Sequence, residues 1–252
     1  QAAVDLLQAE RSAPPDELDD AVLAFLGLAL AELGREREAL ALSLGALSRH
    51  LPRYNRSLAR YARALRPRAA ETATGYDALA PAYALHLADE LDHKPFDRDW
   101  LEALAARLPA GQPVLDIGCG PGHVGRFLRA QGLDVLGLDL SPRMIEEARR
   151  LQPDAAFSVG DARALPFAEG ALGGIVAMYS IIHLDADELV DVLAEWHRAL
   201  QPGGVLALAF HVGRQTVRVT ELWGVPAALD FSYFETGFVT AALAQAGFRV
   251  LS

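Results

Sequence analysis

The 252-residue sequence has one cysteine, Cys119, and one lysine, Lys94. A lone thiol excludes an intramolecular disulfide and any cysteine-rich metal site, and it fits a reducing compartment, so a cytoplasmic location is expected. The seven histidines include no His-x-x-x-His pair, so no metal site is predicted. Positive charge is short as well. A net charge of −10 argues against nucleic acid as a partner, because neutralising phosphates takes a clustered basic surface. Long apolar runs are missing: the longest, Ala21 to Ala31, has 11 residues. That is short of the roughly 20 that span a bilayer, and no membrane association is expected. No secretion signal is visible at the start, and a first residue of Gln rather than Met points to a fragment.

Apolar residues are plentiful, at 52%, enough for a sizeable core. Charge is unevenly spread. Residues 1 to 70 carry 10 Arg against 9 acids, whereas residues 71 to 252 carry 13 Lys or Arg against 24 acids. This break places a boundary near residue 70, between an all-helical segment (1–70) and a larger domain (71–252). Ala21 to Glu32 and Glu36 to Arg49 read as a helix pair joined at Gly34. A third stretch, Arg49 to Arg68, has seven arginines and no acid. Its Arg53, Arg56, Arg60 and Arg63 share one helical face, and Tyr54, Leu58, Tyr61 and Leu65 another, as in a docking helix.

The most informative stretch is Val114 to Gly122, Val-Leu-Asp-Ile-Gly-Cys-Gly-Pro-Gly. Val114, Leu115 and Ile117 are residue types of a buried parallel strand, and Gly118, Gly120 and Gly122 remove Cβ atoms where a ligand would approach the backbone. Strand, glycine turn and helix in succession make a nucleotide-type site. The dinucleotide fingerprint would need glycine at position 123, where the sequence has His123, which makes NAD a poor candidate. Asp139 ends the apolar run Val135 to Leu138, and Ser141-Pro142 supplies an N-cap and first-turn proline for the next helix. Asp161 follows a third short strand, and Leu200-Gln201-Pro202-Gly203-Gly204 is a turn before a fifth.

The glycine stretch resembles motif I of the class I S-adenosylmethionine (SAM) dependent methyltransferases, and the segments around Asp139, Asp161, Leu165-Pro166-Phe167 and the Pro202-Gly203-Gly204 turn are similar to that family in order and spacing. Tyr76-Asp77-Ala78-Leu79-Ala80-Pro81-Ala82-Tyr83 resembles a segment that helps close the cofactor site in small-molecule members. Leu172-Gly173-Gly174 stands where many relatives have Phe-Asp, which leaves the subfamily open. Leu26-Gly27, Gly34, Ala39, Ala46 and Pro52 stand at offsets similar to the tetratricopeptide repeat. One and a half such repeats are too few for a stable solenoid, so these helices are expected to pack on something else and are a candidate site for a protein partner.

The resemblance implies an α/β fold: a Rossmann-like, doubly wound, mostly parallel sheet with six strands visible (the sixth from Phe248 to Leu251) and a seventh missing, preceded by the helical segment. It implies SAM as cofactor, held by Tyr76, Tyr83, Asp116, Gly118, Cys119, Gly120, Gly122, Asp139, Leu140, Met144, Asp161, Ala162, Met178 and Tyr179. In the family the acid at Asp139 takes the ribose hydroxyls and that at Asp161 the adenine amino group. Ligands in open α/β sheets sit beyond the carboxyl ends of the strands, which makes His183 and His211 candidate bases. The expected activity is methyl transfer to an unidentified small molecule or protein side chain. A non-catalytic SAM-binding or scaffold module is the alternative. Pro81 is expected to bend or interrupt its helix, and the aromatic stretch 214 to 235 to be an irregular insertion covering the substrate.

Overall fold

The computed structural model describes residues 2–11, 19–50, 67–109 and 111–251. The arginine-rich stretch, with Arg53, Arg56, Arg60 and Arg63, falls outside the described residues apart from its two ends. The chain divides into two compact units, residues 1–70 and 71–252.

The first unit contains α1 (Ala2–Arg11), α2 (Asp19–Glu32) and α3 (Glu36–His50). Leu23, Leu26 and Leu30 of α2 pack on Ala39, Leu42 and Ala46 of α3 and on Val4 of α1. The helices meet closely because Gly27 has no side chain: a Cβ there would lie 2.9 Å from Ser43 Oγ and 3.2 Å from the Ala39 carbonyl oxygen. Gly34, at φ 72°, ends α2, and the Arg35 amide donates back to the Leu30 carbonyl, the six-to-one bond of a Schellman cap. Across the pair, Asp20 accepts from Arg49 and His50.

The second unit is built on a five-stranded sheet, order β3-β2-β1-β4-β5, in which every neighbouring pair is parallel. The strands are β1 (Val114–Ile117), β2 (Val135–Asp139), β3 (Phe157–Val159), β4 (Leu172–Met178) and β5 (Leu200–Ala209). Around them lie α4 (Pro67–Leu87), α5 (Pro95–Ala105), α6 (His123–Ala130), α7 (Pro142–Leu151), α8 (Leu189–Ala199) and α9 (Thr236–Gln245). The alternation of a strand sends Leu115, Ile117, Ile175 and Ala177 to one face, against Leu189, Leu193 and Trp196, and Val114 and Val176 to the other, against Leu101, Val124 and Leu128. Both faces are covered, as a parallel sheet requires. Trp196 is fully buried and donates its indole N–H to the Ala162 carbonyl at 2.8 Å.

Four expectations need correction. No strand forms over Phe248 to Leu251: Gly247, at φ 97°, lets the Phe248 amide close α9 on the Leu243 carbonyl at 2.9 Å, so that N–H caps a helix instead of entering a ladder. The stretch 214 to 235 is ordered, forming the antiparallel hairpin β6 (Thr216–Leu222) and β7 (Val225–Ser232). Helix α4 runs through Pro81 unbroken, because Leu79, Ala80 and Ala84 on either side of it are buried. Strand β5 begins at Leu200 rather than Gly204, reaching β4 through a register shift between Leu172 and Gly174. No described helix is long and apolar enough to cross a membrane.

Candidate functional site

Strand β1 lies between β2 and β4, which lead the chain away in opposite directions, so a crevice opens beyond its carboxyl end. A cavity of about 450 Å³ occupies that position. Of the expected cofactor residues, all except Gly122 line it, and so do His183 and His211.

The three motif glycines have different tasks. All hold positive φ, at 68°, 52° and 81° for Gly118, Gly120 and Gly122. A Cβ on Gly118 would strike Ser180 Oγ at 2.5 Å, and one on Gly122 would strike the Phe157 ring at 2.8 Å. These two glycines therefore make room for protein packing. Only the Cβ position of Gly120 faces the cavity, with the Tyr83 ring as its nearest neighbour at 3.8 Å.

Asp139, at the end of β2, accepts from the Gly120 amide at 2.9 Å with Oδ2 and from the Ser141 amide at 2.9 Å with Oδ1. A carboxylate offers about four lone-pair sites, so one remains on each oxygen for a pair of vicinal hydroxyls. Burial pushes this carboxyl above its ordinary pKa, and the two amides oppose the shift. Asp116 is buried below the turn and accepts from the Gly125 amide at 3.1 Å. Burial raises its pKa to about 6 despite nearby His123. His123 joins Glu90 through Nε2 at 2.9 Å, and its buried Nδ1 has no hydrogen-bond partner. The His123 contact, with help from Lys94 at 2.8 Å, lowers Glu90 to about 2. At the third strand, Asp161 accepts from the Arg163 amide and guanidinium at 2.9 and 3.2 Å, and the same guanidinium reaches Glu188 at 3.2 Å.

Cys119 is buried against Ile145, Ala148 and Phe157, and burial drives its thiol well above the ordinary value, so it fills space and has no nucleophilic thiolate. Lys94 lies in the cavity wall, tied to Glu90 and to Asp97 at 3.9 Å. Sequence reasoning passed over several residues here. Asp77 of α4 accepts from Ser141 Oγ at 2.5 Å and the Arg143 amide at 3.1 Å, which caps α7 from outside its own sequence. Glu90, Asp97, His123 and Arg163 also line the cavity without having been expected to, and Trp223 lines it from the aromatic stretch 214 to 235.

A belt of rings surrounds the rest of the cavity. Trp223 meets Tyr83 at 5.4 Å between centroids, Tyr83 meets Tyr76 at 5.6 Å, and Tyr76 meets His183 at 5.1 Å. His183 then meets Phe231 at 5.4 Å, Phe231 meets His211 at 6.5 Å, and His211 meets Tyr179 at 5.0 Å. His183 is held at both nitrogens: Nδ1 lies 3.2 Å from the Asp230 carbonyl oxygen and Nε2 lies 2.7 Å from the Tyr76 hydroxyl. A carbonyl only accepts, so Nδ1 carries the proton and Nε2 accepts from Tyr76. His211 is held by ring contacts with Tyr179, Phe231 and Tyr233, the last stacked at 4.9 Å.

Tyr179 and Trp223 are the two described non-glycine residues with positive φ, at 57° and 50°. Trp223 and Gly224, at φ 78°, make the two-residue turn between paired Leu222 and Val225, where type I′ geometry favours Asn or Gly. Such backbone costs on the order of 1–3 kcal/mol per residue and concentrates at functional sites.

Asp139 with two open lone pairs, Gly120 facing the cavity and Asp161 at the next strand end make a donor and acceptor set that fits the adenosine portion of SAM. Comparison with known proteins agrees. Residues 114–204 match a family described as "Methyltransferase domain", and residues 1–65 match the tetratricopeptide repeat. The malonyl-[acyl-carrier protein] O-methyltransferase of Enterobacter lignolyticus is 35% identical over 153 residues, 60% of this chain and 57% of that protein. The dTDP-4-amino-2,3,4,6-tetradeoxy-D-glucose N,N-dimethyltransferase of Saccharopolyspora spinosa is 32% identical over 190 residues, 70% of this chain and 69% of that protein. A SAM-dependent methyltransferase of known structure from Methanosarcina mazei has the same fold, with a TM-score of 0.55 at 19% identity over 60% of this chain and 85% of its own. The chain belongs to the SAM-dependent methyltransferase family. It spans less than two thirds of the first curated relatives it matches, 57% of the Enterobacter protein.

Proposed function

We propose that this chain transfers a methyl group from SAM to an acceptor that is a small molecule or a protein side chain. The observation that carries this reading is Asp139, fixed by the Gly120 and Ser141 amides at the open end of β2 with capacity for two further hydrogen bonds. In this reading Asp139 binds the ribose, Asp161 the adenine amino group, and Asp116 and the Gly118–Gly120 backbone the amino-acid end. Tyr76, Tyr83, Leu140, Met144, Ala162, Met178 and Tyr179 wall the rest. Gly122 serves only to let the turn pack on Phe157.

When bound, SAM would supply an electrophilic methyl group to a lone pair of the acceptor, with its sulfur as the leaving group. The chain's own part is to hold the two reactants in line and exclude water, which accounts for up to about 7–11 kcal/mol of barrier lowering. An acceptor that must lose a proton passes it to a neighbouring base, and His211 is better placed for this than His183, whose Nε2 lone pair is taken by Tyr76. The two relatives named above act on unlike acceptors, so the likeness carries the reaction and leaves the acceptor open. We further propose that residues 1–70 are a separate domain that recruits a protein partner in the cytoplasm, in keeping with the match to the tetratricopeptide repeat.

Calorimetric titration with S-adenosylhomocysteine, followed by incubation of the protein with labelled SAM and cell extract, tests the reading. Binding with label transfer is expected. Binding without transfer would point to a non-catalytic module, and failure to bind would remove the methyltransferase reading.

A further inference from the structure

The acceptor can be narrowed from two residues of the cavity wall: Tyr179, which also borders the cofactor in the reading above, and Trp223, which that reading leaves unused. Tyr179, at the end of β4, and Trp223, at the tip of the β6–β7 hairpin, both line the cavity, and both keep a left-handed backbone that aromatic residues disfavour. Core packing does not explain the strain, because Tyr179 is 39% and Trp223 45% exposed. The backbone is held in this form while both rings remain open to solvent. What the conformation achieves is placement. Trp223 is stacked on His86 at 4.8 Å and edge-on to Tyr83, and Tyr179 is tilted over His211, so that the two rings are the two ends of the series of ring contacts.

Charge narrows the choice further. The full cations in the cavity wall are Lys94 and Arg163, and each is matched by two carboxylates, Lys94 by Glu90 and Asp97, Arg163 by Asp161 and Glu188. A carboxylate or phosphate on the acceptor would find no unmatched cation and would face Asp116 and Asp139. The carboxylates of the wall, Glu90, Asp97, Asp116, Asp139 and Asp161, outnumber its cations. Flat ring faces, this surplus of negative charge and an imidazole in the wall fit an aromatic acceptor that is not an anion.

We propose that Tyr179 and Trp223 form a clamp for a planar aromatic acceptor that carries a hydroxyl group and no negative charge, with the hydroxyl directed to His211. Ring faces select a flat π-system through offset and edge contacts, and the imidazole takes the hydroxyl hydrogen bond. The proposal rests on the methyltransferase reading, and the following experiment separates the two.

The full chain, saturated with S-adenosylhomocysteine, is titrated with 1-naphthol, its non-planar analogue decahydro-1-naphthol and the anion 1-naphthoate. Preference for 1-naphthol by tenfold or more over each of the others is expected. Trp223→Asn, which suits the turn better, should keep or raise Tm, leave S-adenosylhomocysteine affinity within twofold and weaken 1-naphthol at least tenfold, whereas Trp223→Phe should stay within about threefold of wild type. Equal binding of the non-planar analogue, tighter binding of the anion, or an unchanged naphthol affinity in Trp223→Asn overturns the clamp while the cofactor reading stands. Failure of wild type to bind S-adenosylhomocysteine overturns both.

Discussion

The Tyr76 hydroxyl lies 2.7 Å from His183 Nε2 and joins helix α4 to the short turn after β4. The bond couples two elements that wall the same cavity. Tyr76 remains a neutral donor, since burial raises its pKa well above the ordinary value. With its other nitrogen on the Asp230 carbonyl, His183 ties α4, the turn and the β6–β7 hairpin together.

This arrangement separates the two histidines. His183→Ala should lower Tm, because it leaves the Tyr76 hydroxyl without its acceptor, at a cost of about 1–3 kcal/mol. His211→Ala should leave Tm almost unchanged and reduce kcat by roughly 10²- to 10⁴-fold for an acceptor that must lose a proton. Thermal melts and steady-state kinetics on the two variants check this. A large loss of kcat in His183→Ala with normal Tm would reverse the roles.

Asp139→Asn tests the nucleoside contact. Both carboxylate oxygens accept from backbone amides, and an asparagine can offer only one acceptor, so an N–H must face an N–H at Gly120 or Ser141. The charged hydrogen bonds at stake are worth about 1.5–3 kcal/mol each. S-adenosylhomocysteine affinity is therefore expected to fall by at least tenfold in calorimetry. An affinity within twofold of wild type would show that the ribose is held elsewhere.

In the N-terminal unit, Gly27→Val should be strongly destabilising. A Cβ at Gly27 already lies 3.2 Å from the Ala39 carbonyl oxygen, a backbone atom that cannot move without α3 moving too. The expected signature is loss of helical circular dichroism at a lower temperature, with S-adenosylhomocysteine affinity preserved. Coincident loss of both would mean that the two units melt together.

The parallel sheet was legible in the sequence because β1, β2 and β4 are apolar runs, with Asp116 inside β1, Asp139 at the end of β2 and Asp161 just past β3. The β6–β7 hairpin was obscured for a physical reason. Its turn puts Trp223 where Asn is the usual signal, so the aromatic content stood out and the alternation of Val217 and Val219 did not. Asp77 and Glu90 could not be assigned from local pattern at all: their partners Ser141 and His123 are 64 and 33 positions away, and only the fold brings them together. Phe248 reads as the start of a strand in any local window, and the helix cap at Gly247 decides otherwise.

The pH dependence of stability should carry the mark of Asp116. Its carboxyl titrates near 6 in the folded chain, against 3.8 when unperturbed, because burial disfavours the charge. Between those values the folded chain binds a proton that the unfolded chain has released, so stability falls as pH rises through the window from about 4 to 6 and stays lowered above it. The two-unit difference corresponds to an upper bound of about 3 kcal/mol. Glu90 acts in the opposite sense. Held near 2 chiefly by His123, it adds stability above its ordinary range, and that contribution is lost as pH falls toward 2. Asp116→Asn should accordingly raise Tm at pH 7.5 and change it little at pH 4, where the native carboxyl is already protonated, while weakening S-adenosylhomocysteine binding at pH 7.5. Melting curves across pH 4 to 8 for wild type and variant provide the check. Equal Tm shifts at both ends would mean that the charge of Asp116 is not what limits the stability of the folded chain.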